Sequence, residues 1–468
     1  MNRVVPIILA VALFMENMDS TVIATSLPAI AADLGTSPIA LKLALTAYMV
    51  SLAIFIPISG FMADKIGAKR LFRCAIGVFL IGSIACALSN SLGSFVLARF
   101  LQGMGGAMMT PVARLVLVRS TPRDQLIAAM AWLTIPALIG PMAGPPVGGF
   151  VTTYFSWHWI FIINVPIGIL GIYLSGRYLP EIESVDPGRK LDWLGFAMVA
   201  IAASGVVFGL SVISLPALPP VVGFIALVIG LVALMLYMAY ARRNPAPILD
   251  LRLFRNPSFR AAIVGGTLFR IGIGAVPFLL PLLLQIVFGL DPFQSGLVTF
   301  ITAAGAFSMK FLAPKLLRIL GFRTVLLSAT LISTVLVAAN GQFHPGLSYI
   351  VIMPLLYFAG FLRSLFFTSA NALVFADVNS EETGNATAIS ATMQQISLAL
   401  GVAFGGTVLE IATHAGGGEM TQRSFFWAFT AMAVITVSAS LSFLRLPADA
   451  GSTVSGHGAG RTPTQENG

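Results

Sequence analysis

The chain has 468 residues, of which 57% are hydrophobic and only 10% charged. Soluble domains carry about 25% charged residues, so this composition excludes a water-soluble fold and points to an all-α polytopic membrane protein. The net charge of +9 falls in the loops between apolar runs and lends no support to nucleic-acid binding. A spanning helix needs about 20 mostly apolar residues. About fourteen segments meet that need, at 4–27, 39–62, 72–91, 94–117, 126–150, 158–179, 192–213, 219–241, 259–287, 293–314, 323–341, 347–370, 385–413 and 424–445. Pro277 and Pro281 interrupt the ninth. The stretch 447–468 is rich in Gly, Ser and Thr and reads as a disordered tail. Both cysteines, Cys74 and Cys86, fall in the third segment, which argues against a disulfide framework. Glu16 and Asp19 break the first apolar run and a second span follows at once, which argues against a cleaved signal peptide.

Loop charge sets the orientation. With a cytoplasmic N-terminus, the inner connections hold Lys65, Lys69, Arg70, Arg73, Arg119, Arg123, Arg189, Lys190, Arg242, Arg243, Arg252, Arg255, Arg260, Lys315, Arg318 and Arg323. The outer connections then hold only Lys42 and Arg423. Both termini are therefore expected in the cytoplasm, in a multi-pass protein of the cytoplasmic (inner) membrane.

Two features recur about 255 residues apart. Gly67-Ala68-Lys69-Arg70 is echoed by Gly321-Phe322-Arg323, and Gly144-Pro145-Pro146-Val147-Gly148-Gly149 by Gly401-Val402-Ala403-Phe404-Gly405-Gly406. The separation implies two pseudo-symmetric six-helix halves, residues 1–185 and 246–446, with two extra transmembrane helices in 186–245. Duplicated halves around a central site are the architecture expected of secondary transporters.

The run Gly140–Gly149 is unusual for a spanning segment. Its prolines delete backbone hydrogen bonds that lipid cannot replace, so neighbouring helices must cover the freed carbonyls. Gly140, Gly144 and Gly148 repeat every four residues and leave one bare stripe for a close backbone. The stripe reads as a packed seam, with the contact between two moving halves as its functional form.

At these residues the chain resembles the major facilitator superfamily, in its fourteen-span drug:proton antiporter branch, over almost its whole length. Met18–Pro28 resembles the acidic first-helix signature, with Thr25 where Asn is usual. Gly60–Arg70 resembles the loop motif between spans two and three, and Arg99–Ala107 the fourth-span motif. Gly140, Gly144, Pro145, Gly148 and Gly149 stand in register with the fifth-span antiporter motif. Trp157–Gly168 resembles the sixth-span opening, with His158 where Arg is usual. The resemblance implies that Gly60, Asp64, Gly67, Lys69 and Arg70 latch the halves when the outer gate is open. It also implies that Arg99 controls the charge state of the first-span acids.

Ionisable side chains inside spans are costly and mark candidate sites. Glu16 and Asp19 are three residues apart and share a helix face. Two carboxylates this close in low dielectric do not both ionise readily, so one can exchange a proton for a cationic drug. The competing reading is a pair neutralised by an arginine that holds helices together. Arg114 lies about four turns beyond Arg99, toward the cytoplasm. Arg270 and Arg363 are embedded in the second half, where either could bind an anionic group of a substrate or pair with an acid. Glu410 reads as structural, near an outer helix end. Asn371, Gln394 and Gln395 read as helix–helix contacts.

No Gly-x-x-x-x-Gly-Lys-Ser/Thr occurs, which leaves ATP-driven pumping unsupported, and the four histidines are scattered. The expected function is a proton-coupled antiporter exporting amphipathic drugs by alternating access. It is not an enzyme, has no cofactor or metal, and runs on the proton gradient. Its partners are a small amphipathic molecule, protons and the lipid bilayer; an accessory export protein is a further expected partner. The alternatives are a proton-coupled importer of a small metabolite and a non-transporting membrane sensor.

Overall fold

The computed structural model describes residues 4–121, 126–181, 191–213, 219–245, 247–378, 382–447 and 450–451. Most of the expected tail, and the loop cations Arg123, Arg189 and Lys190, lie outside the described residues. The described part is helical, in the order α1 (Val4–Val22), α2 (Leu27–Asp33), α3 (Lys42–Phe55), α4 (Ser59–Ile66), α5 (Ala68–Ala87), α6 (Leu92–Ser120), α7 (Leu126–Tyr154), α8 (Trp159–Ile162) and α9 (Asn164–Tyr178). There follow α10 (Trp193–Val212), α11 (Pro220–Arg243), α12 (Pro257–Gly274), α13 (Val276–Ile286), α14 (Pro292–Asn340), α15 (Tyr349–Ala376), α16 (Thr383–Ala415), α17 (Gln422–Ser438) and α18 (Ser440–Leu444). Among the described residues, twelve helices are long and apolar enough to cross a membrane. The other two predicted spans, 126–150 and 293–314, fall in α7 and in the first part of α14.

The breaks follow the residues expected to make them. Pro57 lies in a 3-10 turn between α3 and α4, and Pro277 opens α13 one residue after α12 ends. Gly67 closes α4 with φ +87°, and Gly321 bends α14 with φ +74°. Side chains avoid that left-handed region, so the same backbone device appears at both copies of the repeat. Asp291 and Gln294 form a capping box at the start of α14, as Ser91 and Ser94 do for α6.

Packing repeats as well. The stripe Gly140, Gly144 and Gly148 faces α1, where added Cβ atoms would meet Phe14 O, Thr21 Oγ1 and Val22 O. In the second copy Gly401 and Gly405 face α12 in the same way, against Ile271 O and Ala275. The stripe is therefore a seam inside one group of helices. The contact between the two groups uses the adjacent face: Gly149 lies against Pro292 and Phe293, and Gly296 against Pro145. The second copy mirrors this too, because Gly406 lies against Lys42 at the start of α3. The groups thus meet along α7 with α14 and along α16 with α3, and α10 packs beside the second seam against both α3 and α16. Helix α11 presents Val221, Phe224, Ile225, Val228, Met235 and Leu236 outward, as a lipid-facing helix does.

Candidate functional site

Small residues of the fourth-span motif bring three helices together. An added Cβ at Gly103 would strike Tyr48 O on α3, and one at Gly105 would strike Phe79 on α5. That close approach buries the polar edge of α6 among α1, α3, α5 and α9. Arg99 Nη1 donates to Asp19 Oδ2 at 2.7 Å, with Asp19 0% and Arg99 1% exposed. Asp19 Oδ1 accepts from Gln102 Nε2 and Asn164 Nδ2, both at 2.9 Å. Gln102 Nε2 also donates to Ser83 Oγ at 2.8 Å, and the Arg99 guanidinium lies 4.3 Å from the centre of the Tyr48 ring. Asp19 is thus a buried carboxylate held by one cation and two amides, the condition under which a buried charge is tolerated.

Glu16 sits one turn away in different company. It is half-buried and its Oε2 accepts from Thr110 Oγ1 at 2.7 Å. No cation lies within ion-pair distance of it among the described residues. Gly106 lets α6 pack closely beside it: a Cβ there would stand 3.5 Å from Glu16 Cγ and a tight 3.1 Å from the Tyr48 hydroxyl. That hydroxyl is buried and has no hydrogen-bond partner among the described residues, beside Glu16 and the Asp19–Arg99 pair. Arg114 is exposed and is near enough to act on Glu16 through its charge.

The remaining predicted residues divide in the same manner. Asp64 pairs with Arg119 at 3.5 Å, on α6 of its own group of helices, and Lys69 pairs with Glu181 at 3.5 Å. Arg70 is exposed, and the space around Gly60 is open. Pro145 O accepts from Thr25 Oγ1 at 3.4 Å, so a carbonyl beside the proline run is covered by a neighbouring helix. Arg270 is 5% exposed and donates from Nη2 to Asn371 Oδ1 at 3.0 Å, while Arg363 is half-buried and, among the described residues, has no acid within ion-pair distance. Glu410, read as structural, is 5% exposed and pairs at 3.2 Å with Lys42, which is 0% exposed rather than solvated in an outer connection. Lys42 Nζ also donates to Thr407 Oγ1 at 3.3 Å.

That ion pair joins the two groups of helices at the end of the bundle that carries Thr25 and Gly149. Gln285 Nε2 donates to Thr25 O at 2.8 Å and the Phe293 N–H to Thr153 Oγ1 at 3.2 Å at the same end. Phe293 also packs on Phe150 and Tyr154 with ring centres 5.9 and 6.0 Å apart. The Lys42 end is closed by charge, hydrogen bonds and aromatic contact. At the opposite end, among the described residues, Asp64 is engaged only with Arg119 of its own group.

Sequence reasoning missed Lys42, Tyr48, Ser83, Gln102, Thr110 and Asn164 as members of these clusters. Gln102 and Asn164 had a usable signal, since each is an amide inside an apolar run, and Gln102 is one turn from Arg99. Lys42 had the opposite signal, because it follows a short polar connection and looks solvated.

Duplicated helix groups, paired seams joined at one end and buried charges within apolar helices define a multi-pass membrane transporter fold. The chain matches the family model "Major Facilitator Superfamily" over residues 9–402 and belongs to that family. It is 36% identical over 447 residues to a Pectobacterium carotovorum protein, MdtD, assigned by its name to multidrug resistance, with 94% of this chain and 95% of that protein covered. It is 34% identical over 438 residues to a Haemophilus influenzae protein, HsrA, assigned by its name to transport, with 93% and 94% covered. Among solved structures, a D-xylose-proton symporter matches with a TM-score of 0.68 at 14% identity, covering 96% of this chain and 98% of its own. The nucleoside transporter NupG matches with a TM-score of 0.62 at 13% identity, covering 96% and 100%. These last two speak to fold alone.

Proposed function

We propose that the protein is a proton-coupled exporter of amphipathic compounds in the cytoplasmic membrane, and that Glu16 is where proton and cargo exchange. The observation that carries this reading is the unequal company of the two first-helix acids. Asp19 already has a cation and two amide donors, so protonating it would strand Arg99 in a dry interior. Glu16 is half-buried, with one hydroxyl donor and no cation within ion-pair distance among the described residues, so it can take a proton or an approaching cation at far lower cost. Asp19, Arg99 and Tyr48 then form the fixed electrostatic wall beside it. Arg114 lies on the cytoplasmic side of this site.

In this reading the Lys42 end is the outer face, and the conformation is inward-facing. Cargo arriving from the cytoplasm displaces the proton of Glu16 into the cytoplasm. The halves then rock, the Lys42–Glu410 pair separates, and a proton from outside displaces the cargo. Asp64, released from Arg119, latches the cytoplasmic face together with Gly60, Gly67, Lys69 and Arg70 while the outer face is open. The antiporter run keeps α7 rigid against α1 through Gly140, Gly144 and Gly148 and seals the halves through Pro145 and Gly149.

The chain is read as crossing the membrane fourteen times, with α7 and the first part of α14 added to the twelve long apolar helices. Residues 1–185 and 246–446 are the two halves, 186–245 the extra pair, and both termini are cytoplasmic. The gradient supplies the energy, without a cofactor or catalysis. The relatives assigned by name to multidrug resistance favour export over import. Uptake of a fluorescent cation into inverted vesicles tests the reading: it must rise when the lumen is made acidic and collapse with a protonophore. Uptake indifferent to both treatments would rule out proton-coupled export.

A further inference from the structure

The second half holds two embedded guanidinium groups, Arg270 and Arg363. Among the described residues no carboxylate lies within ion-pair distance of Arg270 or Arg363, and neither has a charged neighbour acting on it. Arg270 rests its guanidinium 5.3 Å from the centre of the Phe367 ring and donates to Asn371. Arg363, Phe367 and Asn371 are spaced four residues apart, so they share one face of α15. Asn371 Oδ1 accepts also from Gln394 Nε2, at 3.3 Å, which leaves its own amide nitrogen to donate elsewhere. The cluster offers two cations, an aromatic face and an amide donor with no anion of its own. An intramembrane charge without a partner is costly, and such charges mark ligand pathways.

The internal repeat says where this cluster lies. The separation of 254 residues that relates Gly67 to Gly321 also relates Glu16 to Arg270. The separation of 257 that relates Gly144 to Gly401 relates Thr110 to Phe367. The contact of Glu16 with Thr110, between α1 and α6, is therefore reproduced by the contact of Arg270 with Phe367, between α12 and α15. One half presents a carboxylate at this position and the other presents a guanidinium.

We propose that Arg270, Arg363 and Asn371 form a binding subsite for a carboxylate on the cargo, opposite Glu16, so that the transported class is carboxylate-bearing zwitterionic amphiphiles. The proposal rests on the exporter reading above and adds the substrate class to it. Arg270 supplies the planar fork that matches a carboxylate, Phe367 a face for an aromatic body, and Glu16 receives the cargo's amine.

The test is fluorescence anisotropy on the purified full-length protein, with a zwitterionic rhodamine carboxylate and the methyl ester of the same dye. The wild-type protein binds the carboxylate about tenfold tighter than the ester, the size expected for a charge-assisted contact. Arg270→Gln and Arg363→Gln each bring that ratio toward one, and Arg270→Lys keeps part of it. A merely structural arginine would weaken both dyes together and leave the ratio unmoved. Gel filtration establishes that each variant is monodisperse; half-buried Arg363 provides a second variant should Arg270→Gln misfold. A wild-type ratio near one, or a ratio unchanged in both glutamine variants, overturns the proposal. Gradient-independent uptake in inverted vesicles would instead sink the exporter reading, while the binding ratio still decides the subsite.

Discussion

Replacing Asp19 by Asn and Glu16 by Gln are similar changes on one helix face, and the structure assigns them opposite consequences. Asp19→Asn leaves Arg99, 1% exposed, without its anion and turns an amide NH2 toward donors from Gln102 and Asn164. Removing one partner of a buried ion pair costs about 3–5 kcal/mol, a large share of the roughly 5–15 kcal/mol that holds a protein folded. Glu16→Gln changes one hydrogen bond from Thr110, worth about 0.5–1.5 kcal/mol, and the amide oxygen can still accept it. In detergent, with gel filtration after heating, Asp19→Asn lowers the melting midpoint by roughly 3–5 °C, and Glu16→Gln leaves it near wild type. In inverted vesicles Glu16→Gln loses gradient-driven uptake. The double variant Asp19→Asn/Arg99→Gln recovers most of the stability lost by the single change, since no charge is then stranded. Equal midpoints for the two single variants, or intact coupling in Glu16→Gln, would refute the division of roles between these acids.

Three further outcomes follow from the seams and the loop. Glu410→Gln strands Lys42 at the closed end, so cysteines placed near Thr153 become more reactive to an external maleimide, and the swap Lys42→Glu/Glu410→Lys restores protection. Gly144→Val drives a side chain into Thr21 on α1 and abolishes folded protein on gel filtration, whereas Gly60→Ala, in open space, yields wild-type amounts. Asp64→Asn changes the melting midpoint little, because its pair with Arg119 is near the surface and worth about 0–1 kcal/mol. It slows transport several-fold, read as the initial rate of dye uptake.

Twelve of the predicted spans were legible as long apolar helices because bilayer thickness imposes length, and the repeat because duplication imposes spacing. Gly67 and Gly321 carried that repeat into backbone geometry, where both adopt positive φ. Asp19 and Arg99 stood out because charge is rare within apolar runs. Their pairing came only with the resemblance, which ties Arg99 to the first-span acids; spacing cannot show it, because it joins residues 80 apart and depends on how closely Gly103 and Gly105 let α3 and α5 approach. Helical spacing correctly put Glu16 beside Asp19, yet it gave no hint that Gln102 and Asn164 turn toward only one of them. The glycine stripe of α7 was legible as a seam but not its partner, because a bare face fits any helix. Lys42 reads as an outer-loop cation and Glu410 as a structural acid near an outer helix end; neither reading names the other, because the neighbour across the seam is not in the spacing.

The central claim is that cargo and proton compete for Glu16. The most direct measurement is proton release on cargo addition, followed with a pH-sensitive dye in weakly buffered, purified protein. Wild-type protein should acidify the solution when cargo binds, and Glu16→Gln should not. Cargo binding with no proton release, or release undiminished in Glu16→Gln, would contradict the account.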